Sequence, residues 1–185
     1  MWEGLGGSAE RGPEVLIMGV GNRLLRDDGV GSCFAEVLGS LVNHWWIRVV
    51  DGGLGGLNLL DYFEGVKLAY VVDAVEGERP GQVVLYKVNS EVSEEALRMV
   101  VEYGSHGISP DILLAAAASL GYLPEAYVVG ISVKLIDLGE ALSEEVILGS
   151  LKALKLIKGE LARRGFNLEV DEEAFLNGMR GCGGV

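Results

Sequence analysis

The sequence predicts an α/β fold, a three-layer α/β/α sandwich around a mostly parallel five-stranded sheet. Short apolar runs rich in β-branched residues alternate with segments of helical period, which is typical of this class. Three of the runs, residues 15–20, 46–50 and 68–72, are apolar without alternation, apart from Arg48, as expected for strands that helices cover on both faces. Each of these three runs is followed directly by Gly or Asp. An open sheet of this kind binds its ligands at the carboxyl ends of the strands.

The five predicted strands are residues 15–20, 46–50, 68–72, 83–88 and 126–132. Only a short segment with the turn Arg79-Pro80-Gly81 separates the third strand from the fourth. A parallel connection needs a crossover of roughly a dozen residues or more, so the fourth strand is predicted to be antiparallel. Right-handed crossovers would place the carboxyl ends of the first and third strands side by side.

Helices are predicted between and after these strands. The first one carries an apolar stripe, because Val30, Phe34, Val37 and Leu41 recur at helical spacing. The others begin at serines, which favour helix starts, and they cover residues 93–103, 109–121 and 143–164. Residues 1–165 are therefore predicted to form a single α/β domain. Residues 166–185 lose clear periodicity and are expected to form a partly mobile C-terminal tail.

Charge and composition limit the partners that the protein can have. The formal net charge is −12, so a phosphate backbone would be repelled and no nucleic-acid partner is expected. The first 13 residues lack the pattern of a signal peptide, and no apolar run is as long as a membrane span. We therefore expect a cytoplasmic protein without membrane insertion. Its two cysteines, Cys33 and Cys182, suggest neither a disulfide framework nor a thiolate metal site.

Three residues from distant parts of the chain could together bind a metal ion. Asp28 follows the first strand, Asp73 follows the third, and His106 precedes the helix at 109–121. With the predicted topology, both carboxylates face one crevice. A nearby helix N-terminus favours a neutral imidazole that can act as a ligand. Two carboxylates and an imidazole form an open three-ligand site that suits zinc or nickel better than magnesium.

Each of these residues also has a structural interpretation. Asp27 and Asp28 could cap the following helix and interact with its dipole. Asp73 could be a turn residue that accepts a hydrogen bond from its own backbone. His106 could be a surface histidine. The residues alone therefore predict a metal-binding crevice without excluding these alternatives.

The first loop also admits a second functional interpretation, a nucleotide- or cofactor-binding Rossmann-like domain. Gly19-Val20-Gly21, followed later by Asp51, is similar to a dinucleotide fingerprint. The spacing does not fit, because Leu24 stands where the third glycine is required. Asp27 and Asp28 would also place negative charge where a pyrophosphate must bind. This interpretation is therefore ranked below the metal crevice.

The segment from Gly19 to Gly31, GVGNRLLRDDGVG, resembles the N-terminal signature of the NiFe hydrogenase maturation proteases. The resemblance continues through later short motifs in the same order and spans most of residues 14 to 160. These motifs are residues 50–60 (VDGGLGGLNLL), 71–75 (VVDAV) with Pro80-Gly81, Ser105-His106, 129–131 (VGI) and Leu142-Ser143.

The resemblance implies a hydrolase, an endopeptidase of the aspartic and metal-dependent type. Such an enzyme removes the C-terminal extension of a NiFe hydrogenase large-subunit precursor after nickel insertion. Nickel would be supplied by the substrate, so the enzyme can be metal-free when purified. The metal-contacting and catalytic positions of the family match Asp28, Asp73 and His106. Positions expected to shape the substrate crevice match Asn22, Asp27, Gly52 and Gly53.

Overall fold

A computed structural model of the protein describes residues 12–88, 109–122, 124–139 and 141–182. The sheet consists of β1 (Val15–Val20), β2 (Ile47–Gly53), β3 (Leu68–Glu76), β4 (Val83–Val88) and β5 (Glu125–Val133). The α-helices of the described residues are α1 (Val30–Leu41), α2 (Pro110–Ser119), α3 (Glu144–Arg163) and α4 (Glu172–Gly181). The helix predicted at residues 93–103 lies outside the described residues.

The strands follow the order β2-β1-β3-β5-β4 across the sheet. All neighbours are parallel except β4, which pairs antiparallel with β5. The predicted topology, including the antiparallel fourth strand, is therefore confirmed. The pairing of β1 with β3 ends at Gly19 and Val72, whereas β3 continues to Glu76 beside β5. Asp73 is thus the first residue of β3 that extends beyond its pairing with β1.

Helices cover both faces of the sheet, which confirms the three-layer arrangement. One face packs against α1, α3 and α4, and the other packs against α2 and a 3₁₀ segment at Gly56–Phe63. Successive residues of a strand point to opposite faces. Tyr70 and Val72 face α1, while Ala69 and Val71 face α2. Asp73 is in phase with Ala69 and Val71, so its side chain belongs to the α2 face.

The last helix, α4, differs from the tail expected after Phe166. Asp171 caps the helix by accepting hydrogen bonds from the N–H groups of Glu173 and Ala174. Phe175 and Met179 are fully buried in the core, and the Phe175 ring meets Phe34 of α1 edge-on at 5.2 Å. The prediction missed this helix because it is short and contains two glycines, which disfavour helices. Residues 166–182 are therefore part of the packed structure.

Cys33 and Cys182 form a disulfide, which the sequence analysis did not expect. The two cysteines are 149 residues apart, and the packing of α4 on α1 brings their Cα atoms to 5.8 Å. Sequence spacing alone carries no sign of such a pair, because the contact depends on the helix that the prediction missed.

Across the described residues, no helix combines the length and the hydropathy that crossing a bilayer requires.

Candidate active site

Asp73 lies on β3, just beyond the pairing of that strand with β1. It was expected after the strand, but β3 continues to Glu76, so Asp73 is an interior strand residue opposite Gly130 of β5. Its Oδ1 accepts a hydrogen bond of 2.9 Å from the N–H of Ala74. The side chain is partly buried and opens into a crevice on the α2 side of the sheet.

Asp28 reaches the same crevice from the loop that follows β1. It belongs to a short 3₁₀ turn, Arg26–Gly29, that leads directly into α1. Its Oδ2 accepts a hydrogen bond of 3.1 Å from the N–H of Asn22, across the loop. The Asn22 side chain in turn accepts a hydrogen bond of 3.0 Å from the N–H of Leu24. Asn22 therefore shapes the loop and orients the Asp28 carboxylate.

The crevice lies at the carboxyl edge of the sheet and has a volume of about 240 Å³. Both carboxylates line it. Leu59 of the 3₁₀ segment and Leu113 of α2 provide apolar walls, and Ser109 with Pro110 places the start of α2 at its side. A crevice that combines apolar walls with convergent polar groups, at this edge of an open sheet, is a usual form of a ligand site. The structure thus brings two of the three predicted ligands together.

The surroundings of Asp73 favour its protonated form. Burial raises the pKa of Asp73 from its ordinary value of 3.8 to about 7. The negative charges of Asp28 and Asp111 act in the same direction, and the hydrogen bond from the N–H of Ala74 opposes them. A carboxyl group with a pKa near neutrality, inside a crevice, is typical of catalytic acids and bases.

Glycines of the first motif let α1 approach the ends of the central strands. A Cβ on Gly31 would lie 2.3 Å from the carbonyl oxygens of both Val20 and Val72. A Cβ on Gly19 would lie 1.7 Å from the carbonyl oxygen of Gly31. No larger residue fits at either position. Because neither position carries a side chain, the start of α1, and with it Asp28, can lie directly over the edge of the sheet.

Asp27 has a role that the sequence analysis did not anticipate. It is fully buried, and it accepts hydrogen bonds from the N–H of Leu135 (3.2 Å), the N–H of Ser143 (2.7 Å) and the Ser143 hydroxyl (3.0 Å). It does not cap α1, whose N-cap is Gly29. It is not among the residues that line the crevice. Instead, it fastens the loop after β1 to the loop between β5 and α3.

The two glycines at the end of β2 differ in their positions. Gly53 lines the crevice, and its φ of +46° lies in the left-handed region that favours glycine. Gly52 lies outside the lining, under Leu59. A Cβ on Gly52 would approach the Leu59 side chain to 2.9 Å. Gly52 therefore shapes the crevice indirectly, by allowing this apolar wall to pack against β2.

The third predicted ligand, His106, lies outside the described residues, so its part in the site stays a prediction. Within the described parts of the chain, no group of three or more His, Cys, Asp or Glu side chains could hold a metal ion. The carboxylates of Asp28 and Asp73 alone are an incomplete donor set. A metal bound here would need further ligands from His106, from water or from a substrate.

Comparison with known proteins places the chain in a family. A family model described as hydrogenase maturation protease matches residues 40–160. The hydrogenase expression/formation protein HoxM of Azotobacter vinelandii is 31% identical over 156 residues, which cover 83% of this chain and 74% of that relative. The chain belongs to the hydrogenase maturation protease family.

Solved structures share the fold of this maturation protease. The hydrogenase maturating endopeptidase HybD from E. coli aligns with a TM-score of 0.66 and 24% identity, over 86% of this chain and 99% of that one. The hydrogenase 2 maturation peptidase from Thaumarchaeota archaeon SCGC_AB-539-E09 aligns with a TM-score of 0.62 and 28% identity, over 80% and 98% of the two chains. The protease is a hydrolase that cleaves peptide bonds.

A hydrogen-bond network that the sequence analysis missed holds the first loop of the maturation protease. Arg23 donates to the Ser32 hydroxyl at 2.7 Å and to Asp51 Oδ2 at 2.7 Å, and it also forms a salt bridge with Glu36. The Ser32 hydroxyl donates to Asp51 Oδ1 at 2.6 Å. Charge-assisted bonds of this kind are the stronger ones. The network joins the loop to α1 and β2, so it supports the position of Asp28.

The same network argues against the nucleotide-binding alternative. A dinucleotide fold uses the acidic residue after the second strand to bind the ribose hydroxyls. In the maturation protease both oxygens of Asp51 are engaged by Arg23, by Ser32 and by the N–H of Gly53. Asp51 therefore serves the architecture of the loop. Its only signal in the sequence was its place after the second strand, which does not distinguish the two roles.

Proposed function

We propose that this protease removes the C-terminal extension of a NiFe hydrogenase large-subunit precursor once nickel has been inserted. One observation carries the proposal: carboxylates from two separate chain segments, Asp28 and Asp73, line a single crevice at the carboxyl edge of the sheet. Membership in the maturation protease family supports it, since the family name states the process that its members serve.

The donor set of the crevice fits recognition of a metal ion that arrives with the substrate. Asp28 and Asp73 offer carboxylate oxygens, and His106 is proposed to add an imidazole nitrogen, a mixture that nickel accepts. Because the protein supplies only a few ligands, coordination positions of the metal stay open for groups of the precursor. In this proposal nickel belongs to the substrate, where it would act as a Lewis acid on the scissile carbonyl or on a water molecule. Cleavage would then depend on prior nickel insertion.

The side chains of the crevice supply the remaining chemistry. The Asp28 carboxylate, oriented by the N–H of Asn22, is available as a metal ligand or as a general base. Asp73 lies on β3 beside β5, and its side chain lines the crevice. There it can accept a proton from the attacking water or return one to the leaving amine. Leu59 and Leu113 provide apolar walls beside these groups. We thus propose that the protein is a peptidase of the aspartic, metal-dependent type.

The direct test incubates the purified protease with large-subunit precursor that is either loaded with nickel or free of nickel. We expect mass spectrometry to find C-terminal shortening of the nickel-loaded precursor alone. Shortening of both forms would contradict the dependence on nickel while leaving the peptidase in place. If neither form is shortened, the proposed function fails.

Variants of the proposed ligands test the residues. Asp28→Asn, Asp73→Asn and His106→Ala should each lower the rate of processing by roughly 100-fold or more, because a positioned acid–base group contributes about that much. Circular dichroism should stay that of the wild type, since side chains at a crevice edge contribute little packing. Asp61→Asn, at an exposed position of the 3₁₀ segment, is the matched control and should process normally. A variant that unfolds would assign its residue a structural role instead.

A further inference from the structure

The C-terminal helix α4 packs on α1 and α3 through a small apolar face. Phe175 and Met179 are its only buried residues. Gly178 allows close packing, because a Cβ there would lie 2.5 Å from the Val37 side chain. Glu172 and Arg180 form exposed salt bridges to α3, which contribute little in water. A helix of ten residues is not stable alone, so α4 depends on its packing against α1 and α3.

The disulfide adds a covalent attachment at the end of this helix. Cys182 immediately follows α4, and Cys33 lies in the first turn of α1, five residues after Asp28. The sheet is held together by pairing among its five strands, and α4 takes no part in that pairing. The helix can therefore leave the core without breaking the sheet. Elements of this kind open locally while the rest of a protein stays folded.

We propose that Cys33 and Cys182 form a thiol–disulfide site that controls the docking of α4 on α1. In the oxidised protein the bond holds α4 over Phe34 and Val37. In the reduced protein α4 opens far more often and exposes the apolar surface that it covers. The inference concerns the isolated protein and does not depend on its substrate.

A dithiol can reduce the Cys33–Cys182 disulfide by thiol–disulfide exchange without any further reagent. Its thiolate attacks Cys182, which is half-buried, in preference to Cys33, which is only 1% exposed. The S–S bond breaks, Cys33 leaves as a thiolate and takes up a proton, and a mixed disulfide with Cys182 remains. The second thiol of the reagent then displaces Cys182, so that two protein thiols and one oxidised cyclic disulfide result. A small-molecule disulfide such as oxidised glutathione supplies the two-electron oxidant for the reverse reaction.

The test compares hydrogen–deuterium exchange of the wild-type protein after treatment with oxidised glutathione and after treatment with dithiothreitol. We expect the backbone amides of α4 to exchange at least tenfold faster in the reduced form, while those of β1 and β3 are unchanged. Cys182→Ser should show the fast pattern in either condition. Because dithiothreitol should not accelerate it further, this variant also controls for effects of the reagent.

Three results would overturn the inference. Thiol titration of the denatured, glutathione-oxidised protein could find two free thiols, which would mean that the bond does not form. The exchange of α4 could be equal in the two forms, which would mean that the bond does not hold the helix. Exchange in β1 and β3 could rise together with that of α4, which would replace local release by global destabilisation. The wild-type comparison decides the question even if Cys182→Ser fails to fold.

Discussion

Asp73 is a carboxyl group held where ionisation is unfavourable. Burial, together with the charges of Asp28 and Asp111, raises its pKa from 3.8 to about 7. Between these two values the folded state binds more protons than the unfolded state. The free energy of unfolding therefore falls as the pH rises from about 4 to about 7, and the loss persists above that range. The protein accepts lower stability at neutral pH in order to place this group in the crevice.

Replacing the carboxyl group by an amide should recover that stability. For the metal-free protein, kept in a chelator, we expect Asp73→Asn to raise the free energy of unfolding at pH 8 by roughly 2–4 kcal/mol. The gain should shrink toward zero near pH 4, where both proteins carry a neutral side chain. Urea unfolding at the two pH values measures the difference. A gain of equal size at both values would show that the ionisation of Asp73 is not its cause.

Asp27 should be far more important for folding than its place beside Asp28 suggests. Asp27→Asn turns one carboxylate oxygen into an amide donor that faces N–H groups, so at least one of the bonds from Leu135 and Ser143 is lost. We expect the free energy of unfolding to fall by about 2 kcal/mol, within the range for a hydrogen bond to a charged group. Asp137→Asn, in which the replaced side chain is 67% exposed, is the control and should change stability little. Similar urea midpoints for the two variants would contradict this role of Asp27.

At the level of elements, the approach of α1 to the sheet determines where the crevice forms. Gly31 contacts the backbone of both β1 and β3, and Arg23 joins the preceding loop to α1 and β2. The helix start and the signature loop therefore form one rigid unit with the central strands. The precision of the Asp28 position follows from backbone contacts and ion pairs that surround it.

Two alanine substitutions within α1 should have opposite effects. Gly31→Ala places a Cβ 2.3 Å from two carbonyl oxygens, and we expect it to destabilise the protein by about 3 kcal/mol and to reduce processing. Gly39→Ala meets only ordinary contacts, at 3.7 Å from Val49, and should raise stability by about 0.5–1 kcal/mol because alanine favours the helix. Thermal unfolding of both variants makes the comparison. Equal shifts would refute the close approach of α1 to the strands.

For the whole molecule, features with a local signature could be predicted from the sequence. The first three runs, apolar and without alternation, predicted a buried parallel sheet, and the short Arg79-Pro80-Gly81 turn predicted its one antiparallel strand. Because parallel strands end at the same edge, the convergence of Asp28 and Asp73 followed from the topology alone. His106 belongs to the same prediction and awaits the processing experiment.

Features that depend on long-range contacts could not be predicted. Asp27 was read as a helix cap because its partners, Leu135 and Ser143, are separated from it by 108 and 116 residues. The α4 helix is short and contains two glycines, so it was not recognised before its contact with Phe34 was known. The disulfide depends on α4, so it was missed with it. In each case the deciding partner is distant in sequence.

The Asp27 anchor has a consequence for the time at which the enzyme becomes competent during its synthesis. While Ser143 is still inside the ribosome, a nascent chain carries the complete signature loop but lacks one of the groups that fasten it. The loop would then be held by its contacts with α1 and β2 alone, and the position of Asp28 would be less well fixed. Only a polypeptide that has been synthesised past Ser143 can complete this anchor, so shorter translation products would cut their target poorly.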